Sequence, residues 1–275
     1  MTTEASKSSV ATDLSSASSS SQTFTARSAS PSEWKAVTST IQTLVEEATF
    51  DVTSDGITFR AMDPSHVALV DLFWPSSDFE KFHCERPDRF TVRVEDFAKL
   101  IRRAESKDSI ELSRKSADSL SLKIKNGYLR EFELHLIDTN QGNTPLPKLN
   151  FNARFRTLEA AFDRVLNDVS AISNHITIET SKDKIIFSGK GDTGKASVVL
   201  EKGTEEVLEL EVKEESKATY SIEYLLKITK AAGSASESIG FEYSSKMPLR
   251  MRFNLGDMVS KKGLIDFYLA PRVSE

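Results

Sequence analysis

The chain has almost no cysteine. Cys84 stands alone among 275 residues, which excludes an intrachain disulfide and any cysteine-rich zinc site. It has no run of the roughly 20 apolar residues that a membrane helix needs. It has no excess of positive charge either: the formal net charge is −5, so bulk electrostatics does not advertise a nucleic-acid partner. The four histidines, His66, His83, His135 and His175, show no metal-ligand spacing with one another or with Cys84. No pair of carboxylates stands out as an acid/base couple, and no G-x-S-x-G elbow marks a nucleophile. Residues 1–22 lack apolar side chains beyond alanine except Met1, Val10 and Leu14, while nine of them are serine. Such a segment cannot bury enough surface to offset its chain entropy and is expected to be a disordered tail. It has no apolar core of a secretion signal, and Glu4 and Asp13 offset Lys7, unlike a transit peptide.

What the chain does have is a second copy of itself. Phe24-Thr25-Ala26-Arg27 returns as Phe151-Asn152-Ala153-Arg154, and Asp55-Gly56-Ile57-Thr58-Phe59 as Asp183-Lys184-Ile185-Ile186-Phe187. Glu95–Ala104 returns as Glu223–Ala232, with the glutamate, two cations and the last alanine in register at an offset of 128. A period that long is a duplicated domain rather than a solenoid, whose units run to roughly 20–50 residues. With 39% hydrophobic residues, two cores can be filled.

Each copy reads as an α+β unit. A strand at Phe24–Ala29 is followed by a helix opened by Ser30 as N-cap and Pro31 in the first turn. Its apolar positions are Trp34, Val37, Ile41, Leu44, Val45 and Ala48, matched in the copy by Phe162, Val165, Val169 and Ile172. Period-two strands are expected at Thr49–Val52, Ile57–Met62, Ala68–Phe73 and Arg89–Val94, with Asp55-Gly56 as a hairpin turn. A second helix follows, striped by Phe97, Leu100, Ile101 and Ala104 and, in the copy, by Leu225, Ile228, Thr229 and Ala232. Further strands are expected at Ser109–Ser113, Ser119–Lys125, Glu131–Ile137, Val207–Val212, Ile239–Tyr243, Pro248–Asn254 and Leu264–Leu269. The expected organisation is a tail at 1–22, a first domain at 23–137, a connector at 138–149 carrying two prolines, and a second domain at 150–275.

Two stretches imitate active sites. Gly189–Ser197 resembles a phosphate loop, but position 196 is alanine where Ser or Thr would hold magnesium, and Ala196–Leu200 reads as a strand, not a helix. A hairpin is the better reading, and a nucleotide hydrolase is carried only as a distant alternative. Asp63-Pro64-Ser65-His66 gathers triad residue types in one loop, where a triad draws its members from separate segments. The helix cations are equally ambiguous by themselves. Lys99/Arg102 and Lys227/Lys230 stand at i, i+3 opposite the apolar stripes, and each window nets only +1, which also describes a solvated face. If Lys35 and Arg164 on the other two helices share their surface, modest charges add into one positive face that contacts phosphates without reading sequence.

Residues Asp55–Val70 resemble the D-G-x-x-x-x-x-M-D-x-S-H-V-x-L-V signature of the proliferating cell nuclear antigen family, the DNA sliding clamps, and Leu269-Ala270-Pro271-Arg272-Val273 resembles its L-A-P-[KR]-[IV] ending. The similarity runs from about Phe24 to Val273 and looks closest to archaeal members. It implies two clamp domains per chain, with sheets outside and four helices inside, and a homotrimeric ring around duplex DNA. Such a ring is a processivity factor for the replicative polymerase and has no catalysis and no cofactor or metal. The resemblance also implies DNA-facing Lys35, Lys99, Arg102, Arg164, Lys227 and Lys230, with Arg103 as an extra cation. Ala36, Gln42, Asn167 and Glu223 stand where basic residues are frequent, which implies a looser hold on DNA.

Partners of this family insert a helical plug, the PIP-box peptide, with a glutamine, an aliphatic residue and two aromatics. Those implied are the clamp loader, DNA polymerase, DNA ligase and flap endonuclease. Matching pocket positions are Met62, His66, Val67, Leu69, Leu146, Pro147, Phe151, Pro248, Ala270 and Pro271. Subunit contacts are expected between Ser119–Lys125 of one chain (Ser119, Leu120, Leu122, Ile124) and Lys195–Glu201 of the next (Ser197, Val198, Val199, Leu200). One subunit of a heterotrimeric or checkpoint-type ring is the alternative. Localisation would be cytoplasmic and nucleoid-associated for an archaeal protein, nuclear for a eukaryotic one.

Overall fold

A computed structural model describes residues 23–28, 30–114, 116–138, 144–146, 148–233, 236–256 and 261–272. The expected tail and Pro147 lie outside them. The first copy runs β1 (Phe24–Ser28), α1 (Pro31–Gln42), β2 (Glu47–Thr53), β3 (Gly56–Met62), β4 (Ala68–Pro75) and a 3-10 turn (Ser76–Asp78). It continues through β5 (Lys81–Cys84), β6 (Asp88–Arg93), α2 (Val94–Ile101), β7 (Ser109–Arg114), β8 (Ser119–Asn126) and β9 (Tyr128–His135). The second copy has β10 (Ala153–Leu158), α3 (Glu159–Ser170), β11 (His175–Thr180), β12 (Lys184–Gly191), β13 (Gly194–Glu201) and β14 (Val207–Val212). It ends with β15 (Ser216–Ser221), α4 (Ile222–Ala232), β16 (Ser238–Tyr243), β17 (Leu249–Asn254) and β18 (Leu264–Leu269).

Among the described residues the duplication holds element by element: nine strands and two α-helices per copy in the same order, with the 3-10 turn Ser76–Asp78 in the first copy. It extends to side chains. Thr49 and Thr91 share a hydroxyl hydrogen bond of 2.9 Å across β2 and β6, and Thr177 and Thr219, each 128 residues on, share one of 2.8 Å across β11 and β15.

Local chemistry sets the helix limits. Ser30 caps α1 by accepting the Ser32 N–H at 3.3 Å, with Pro31 in the first turn. The helix ends at Gln42, earlier than the apolar spacing suggests. Leu44 and Val45 fall in the closing turn, where both amides bond Ile41 O. Ala48 belongs to β2, because Ala48, Phe50 and Val52 alternate inward and the strand period wins. Ile172 likewise lies past the end of α3, and Ala104 past α2 although it is buried. Gly56 turns β2 into β3 at φ 144°, where a Cβ would come within 2.1 Å of Trp74 O, so only glycine fits.

Among the described residues the strands form three antiparallel sheets. A five-stranded sheet from the first copy has the order β5-β1-β7-β8-β9, and a four-stranded sheet from the second has β13-β12-β11-β15. The nine-stranded sheet, β14-β10-β16-β17-β18-β4-β3-β2-β6, takes five strands from the second copy and four from the first. They join at β18 and β4, with Leu269 opposite Ala68 and Phe267 opposite Val70. One continuous apolar core lies between sheets and helices. Aromatic clusters fill both halves, Phe24, Phe50, Phe90 and Phe97 in the first and Phe155, Phe162, Phe187 and Phe241 in the second. The helices pack in the order α2, α1, α4, α3, so the α1–α4 contact crosses the domain boundary as the β18–β4 pair does.

Candidate DNA-facing helices, docking patch and subunit edges

Each helix buries its apolar side and turns its cations outward. Lys99, Arg102, Arg103, Arg164, Lys227 and Lys230 are exposed, and Lys35 is half-buried. The cations are not equivalent. Lys99 Nζ lies 2.8 Å from Glu95 and 3.7 Å from Asp96, and Lys227 Nζ lies 2.6 Å from Glu223. These (i, i+4) and (i, i+3) pairs hold both ammonium groups above their usual pKa and Glu95 and Glu223 below theirs, through the hydrogen bond and charge of the partner. Arg102, on the turn that caps α2, donates to Gln42 Oε1 at 3.4 Å. Among the described residues Lys35, Arg102, Arg103, Arg164 and Lys230 form no ion pair. They are the cations available to an outside anion. Asn167 turns its amide back to Asp163 within α3.

Most of the candidate docking residues gather at the domain junction. Strand register puts Met62, Leu69, Tyr268 and Arg250 in one row on the sheet. Above it the β3–β4 loop is built on Asp63. Its carboxylate accepts from the N–H groups of Val67 and Ala68, both at 2.7 Å, and of Ser65 at 3.2 Å, and from the Tyr224 hydroxyl at 2.8 Å. Burial alone would raise the Asp63 pKa; the Ala68 N–H, the Tyr224 hydroxyl and the Val67 and Ser65 N–H groups outweigh it and hold it below the usual range. The Asp of the signature is therefore the frame of the loop, and His66, at φ 57° and exposed, is its tip. The C-terminal segment lies alongside: Ala270 N–H donates to Val67 O at 2.9 Å.

Met62, His66 and Leu146 are exposed, and Val67, Pro248, Ala270 and Pro271 are half-buried. One expectation changes. Leu69 is only 2% exposed, so it floors the patch instead of offering a contact. Phe151 lies at the Arg250 end of the row: its ring is 5.0 Å from the Arg250 guanidinium and lines a cavity of about 530 Å³ with Arg154, Glu211 and Glu242. Sequence reasoning missed Met247, exposed beside Pro248, and Tyr268, whose place in the row only register reveals. It also missed the groove of about 780 Å³ that continues from Met62 and His66 past Arg60, Asp71 and Phe73 under Thr144 and Pro145. Arg60 ties that groove together, donating to Asp71 at 2.8 Å and to Thr144 O at 3.4 Å.

The imitation phosphate loop is a hairpin. Only Asp192 and Thr193 separate β12 from β13, and no helix follows. Its glycines serve packing: a Cβ on Gly191 would come within 1.9 Å of Ile172 O, and one on Gly189 within 2.6 Å of the Val169 side chain, so they let the end of α3 lie on β12. Among the described residues no three His, Cys, Asp or Glu side chains cluster as a metal site, and no helix is long and apolar enough to cross a membrane.

One predicted edge is corrected. β8, which carries Ser119, Leu120, Leu122 and Ile124, is paired on both sides, by β7 and β9, and these residues are buried. Its backbone groups are already used, so it cannot pair with another chain. The edge is β9. Ser197, Val198, Val199 and Leu200 do lie on an edge strand, β13.

The molecule is thus of a definite class: a duplicated α+β chain with one layer of cation-bearing helices, a candidate docking patch at the junction of its copies, and, among its terminal strands, β9 and β13 ending the two sheets that do not cross that junction. Residues 23–143 match the profile of the proliferating cell nuclear antigen N-terminal domain and residues 145–272 that of the C-terminal domain. The chain is 44% identical over 251 residues to the DNA polymerase sliding clamp of Cenarchaeum symbiosum, covering 91% of this chain and 99% of that protein. It is 33% identical to the DNA polymerase sliding clamp of Pyrococcus furiosus, covering 88% and 96%. The crystal structure of PCNA from Thermococcus kodakaraensis superposes with a TM-score of 0.85 at 27% identity, covering 91% of this chain and all of that one. The chain belongs to the proliferating cell nuclear antigen family.

Proposed function

We propose that this protein is a DNA polymerase sliding clamp, and that three copies close head to tail into a ring around duplex DNA. The observation that carries the reading is the arithmetic of the sheets. Inside the chain, the five-stranded set of one copy is joined to the four-stranded set of the other through β18 and β4. The remaining sets, five strands ending at β9 and four beginning at β13, have the same composition and no partner. By the duplication, β9 is the counterpart of β18 and β13 of β4. Repeating the internal joint between chains pairs β9 of one with β13 of the next. With Leu136 in the place of Leu269, Leu136 faces Ala196, Leu134 faces Val198 and Phe132 faces Leu200. All six are half-buried against the core, as the unfinished half of a seam would be. A heterologous contact of this kind forms rings when its rotation closes, and closure removes the exposed edges.

The ring reading gives the helices a surface in common. Few cations, partly masked by their own glutamates, suit a clamp that must slide: the closed ring prevents escape, and tight phosphate contacts would oppose movement. The patch around Met62, His66, Leu146 and Ala270 suits an apolar helical plug, which would tether polymerase, ligase and flap endonuclease and receive the clamp loader. No step of catalysis is assigned to the chain. The archaeal relatives favour a nucleoid-associated protein.

Topological retention tests this. Loaded by an archaeal clamp loader with ATP onto a nicked circular plasmid, the protein is expected to stay through a salt wash and to leave when the circle is cut. Equal retention on cut and uncut DNA contradicts the reading.

A further inference from the structure

Three segments of the proposed docking patch have their anchors close together: the loop 63–67, the loop before Pro248 and the C-terminal residues 270–272. All three are anchored on one short stretch, the junction of β15 with α4. Thr219 O accepts the Arg272 N–H at 2.7 Å. The Tyr220 hydroxyl donates to Met247 O at 2.8 Å. The Tyr224 hydroxyl donates to Asp63 at 2.8 Å, from the opposite domain and 161 residues away. The same helix carries Lys227 and Lys230 one and two turns further on.

The duplicated copy provides the control. The positions 128 residues earlier are Thr91, Val92 and Asp96. The backbone bond has a counterpart there, since Ile137 N–H donates to Thr91 O at 3.0 Å. The two hydroxyl bonds do not, because valine has no donor and the carboxylate of Asp96 instead lies 3.7 Å from Lys99. The tyrosines therefore occur only in the copy whose junction underlies the patch. Tyr220 fills the second core where Val92 fills the first, and Tyr224 is half-buried, so what the second copy adds at both places is a hydroxyl.

We propose that Tyr220 and Tyr224 are positioning residues for partner docking, holding the patch in its binding shape from beneath and linking it mechanically to the DNA-facing helix α4. The inference rests on the docking reading above. Tyr224 is built to hold its proton: burial, the bond to Asp63 and the charge of Asp63 all raise its pKa, so it remains a donor to an ionised carboxylate. A hydrogen bond to a charged acceptor is among the stronger kinds. Losing it frees a loop whose tip must sit at positive φ.

The test uses the full chain and a synthetic peptide with the glutamine, aliphatic and paired-aromatic pattern. Calorimetry is expected to give about tenfold weaker binding for Tyr224→Phe, which keeps the ring and loses one hydroxyl. Tyr220→Phe is expected to act in the same direction. Hydrogen exchange supplies the readout that a merely structural role would not move. Peptide is expected to slow exchange in residues 222–232 of the unaltered chain, although it touches none of them, and to leave that helix unaffected in Tyr224→Phe. Equal peptide affinity for the two proteins overturns the inference, as does an unchanged α4 in the unaltered chain. Absence of any binding by the unaltered chain overturns the docking reading and this inference with it.

Discussion

The seam between β18 and β4 and the pair of open edges at β9 and β13 are two versions of one joint. In the closed version Ile265, Phe267 and Leu269 face Leu72, Val70 and Ala68, and all six are at most 1% exposed. In the open version Phe132, Leu134 and Leu136, and Ala196, Val198 and Leu200, keep the same alternation but are only half-buried. The outward row differs more. At the closed seam Asp266 stands opposite Asp71, two carboxylates face to face, each neutralised from its far side: Arg252 bonds Asp266 at 2.6 and 2.7 Å, and Arg60 bonds Asp71 at 2.8 Å. At the open edges their counterparts are Glu133 and Val199, and Val199 is 47% exposed. A joint made once, during folding, tolerates a part-buried ionic chain that requires four side chains to be set together. On the ring reading, the joint between chains has a valine in place of one carboxylate and would rely on apolar contact and backbone pairing.

That contrast can be broken in several places. The largest effect is expected from charging the open edges. Leu134→Asp or Val198→Asp should leave a folded monomer, because full burial of such a side chain is worth about 1.5–3 kcal/mol and is repeated at each interface; sedimentation would show it, and an intact oligomer would remove these strands from the interface. Next comes the closed seam. Arg252→Leu strands Asp266, which is 7% exposed, and should lower unfolding stability by about 2–3 kcal/mol while leaving the oligomer formed by the surviving fold unchanged. Denaturant melts measure this.

Smaller effects are expected on the helices. Arg102→Ala and Lys230→Ala should each reduce the salt slope of DNA binding by about 1. Lys99→Ala and Lys227→Ala should do less, because Glu95 and Glu223 already hold those ammonium groups. Glu223→Ala should tighten binding by releasing Lys227. Titrations against duplex at several salt concentrations would separate them, and equal slopes for all four would mean that the pairing has no influence.

The smallest effect is that of pH on the docking loop. Asp63 has a folded pKa depressed below its unfolded value, so its contribution is fully present above the unfolded pKa and is lost as pH falls through the folded one. Peptide binding should be flat around neutrality and decline only below the ordinary carboxylate range. A decline near pH 6 would point to another group.

Much of this was legible in the residues. The duplication, the cation pairs on α2 and α4 and the M-D-P-S-H loop are local patterns, and local patterns survive translation into structure. Strand order is not local. β8 and β9 are adjacent strands of similar alternation, and nothing in Leu120, Leu122 and Ile124 distinguishes a strand with two neighbours from one with a single neighbour, so sequence pattern places the edge one strand too early. The burial of Leu69 is hidden from local pattern for a related reason, since it lies in a row shared with Tyr268, 199 residues away. The Tyr224–Asp63 bond joins two copies across the chain and has no counterpart from which the duplication could have predicted it. By contrast, the masking of Lys227 by Glu223 was readable from (i, i+4) spacing alone.

If the edges at β9 and β13 complete each other between identical chains, the free chain assembles with itself. The most direct test is the mass of the unaltered protein by light scattering at micromolar concentration. Three times the 30.6 kDa of one chain is expected. A persistent monomer at that concentration would contradict it.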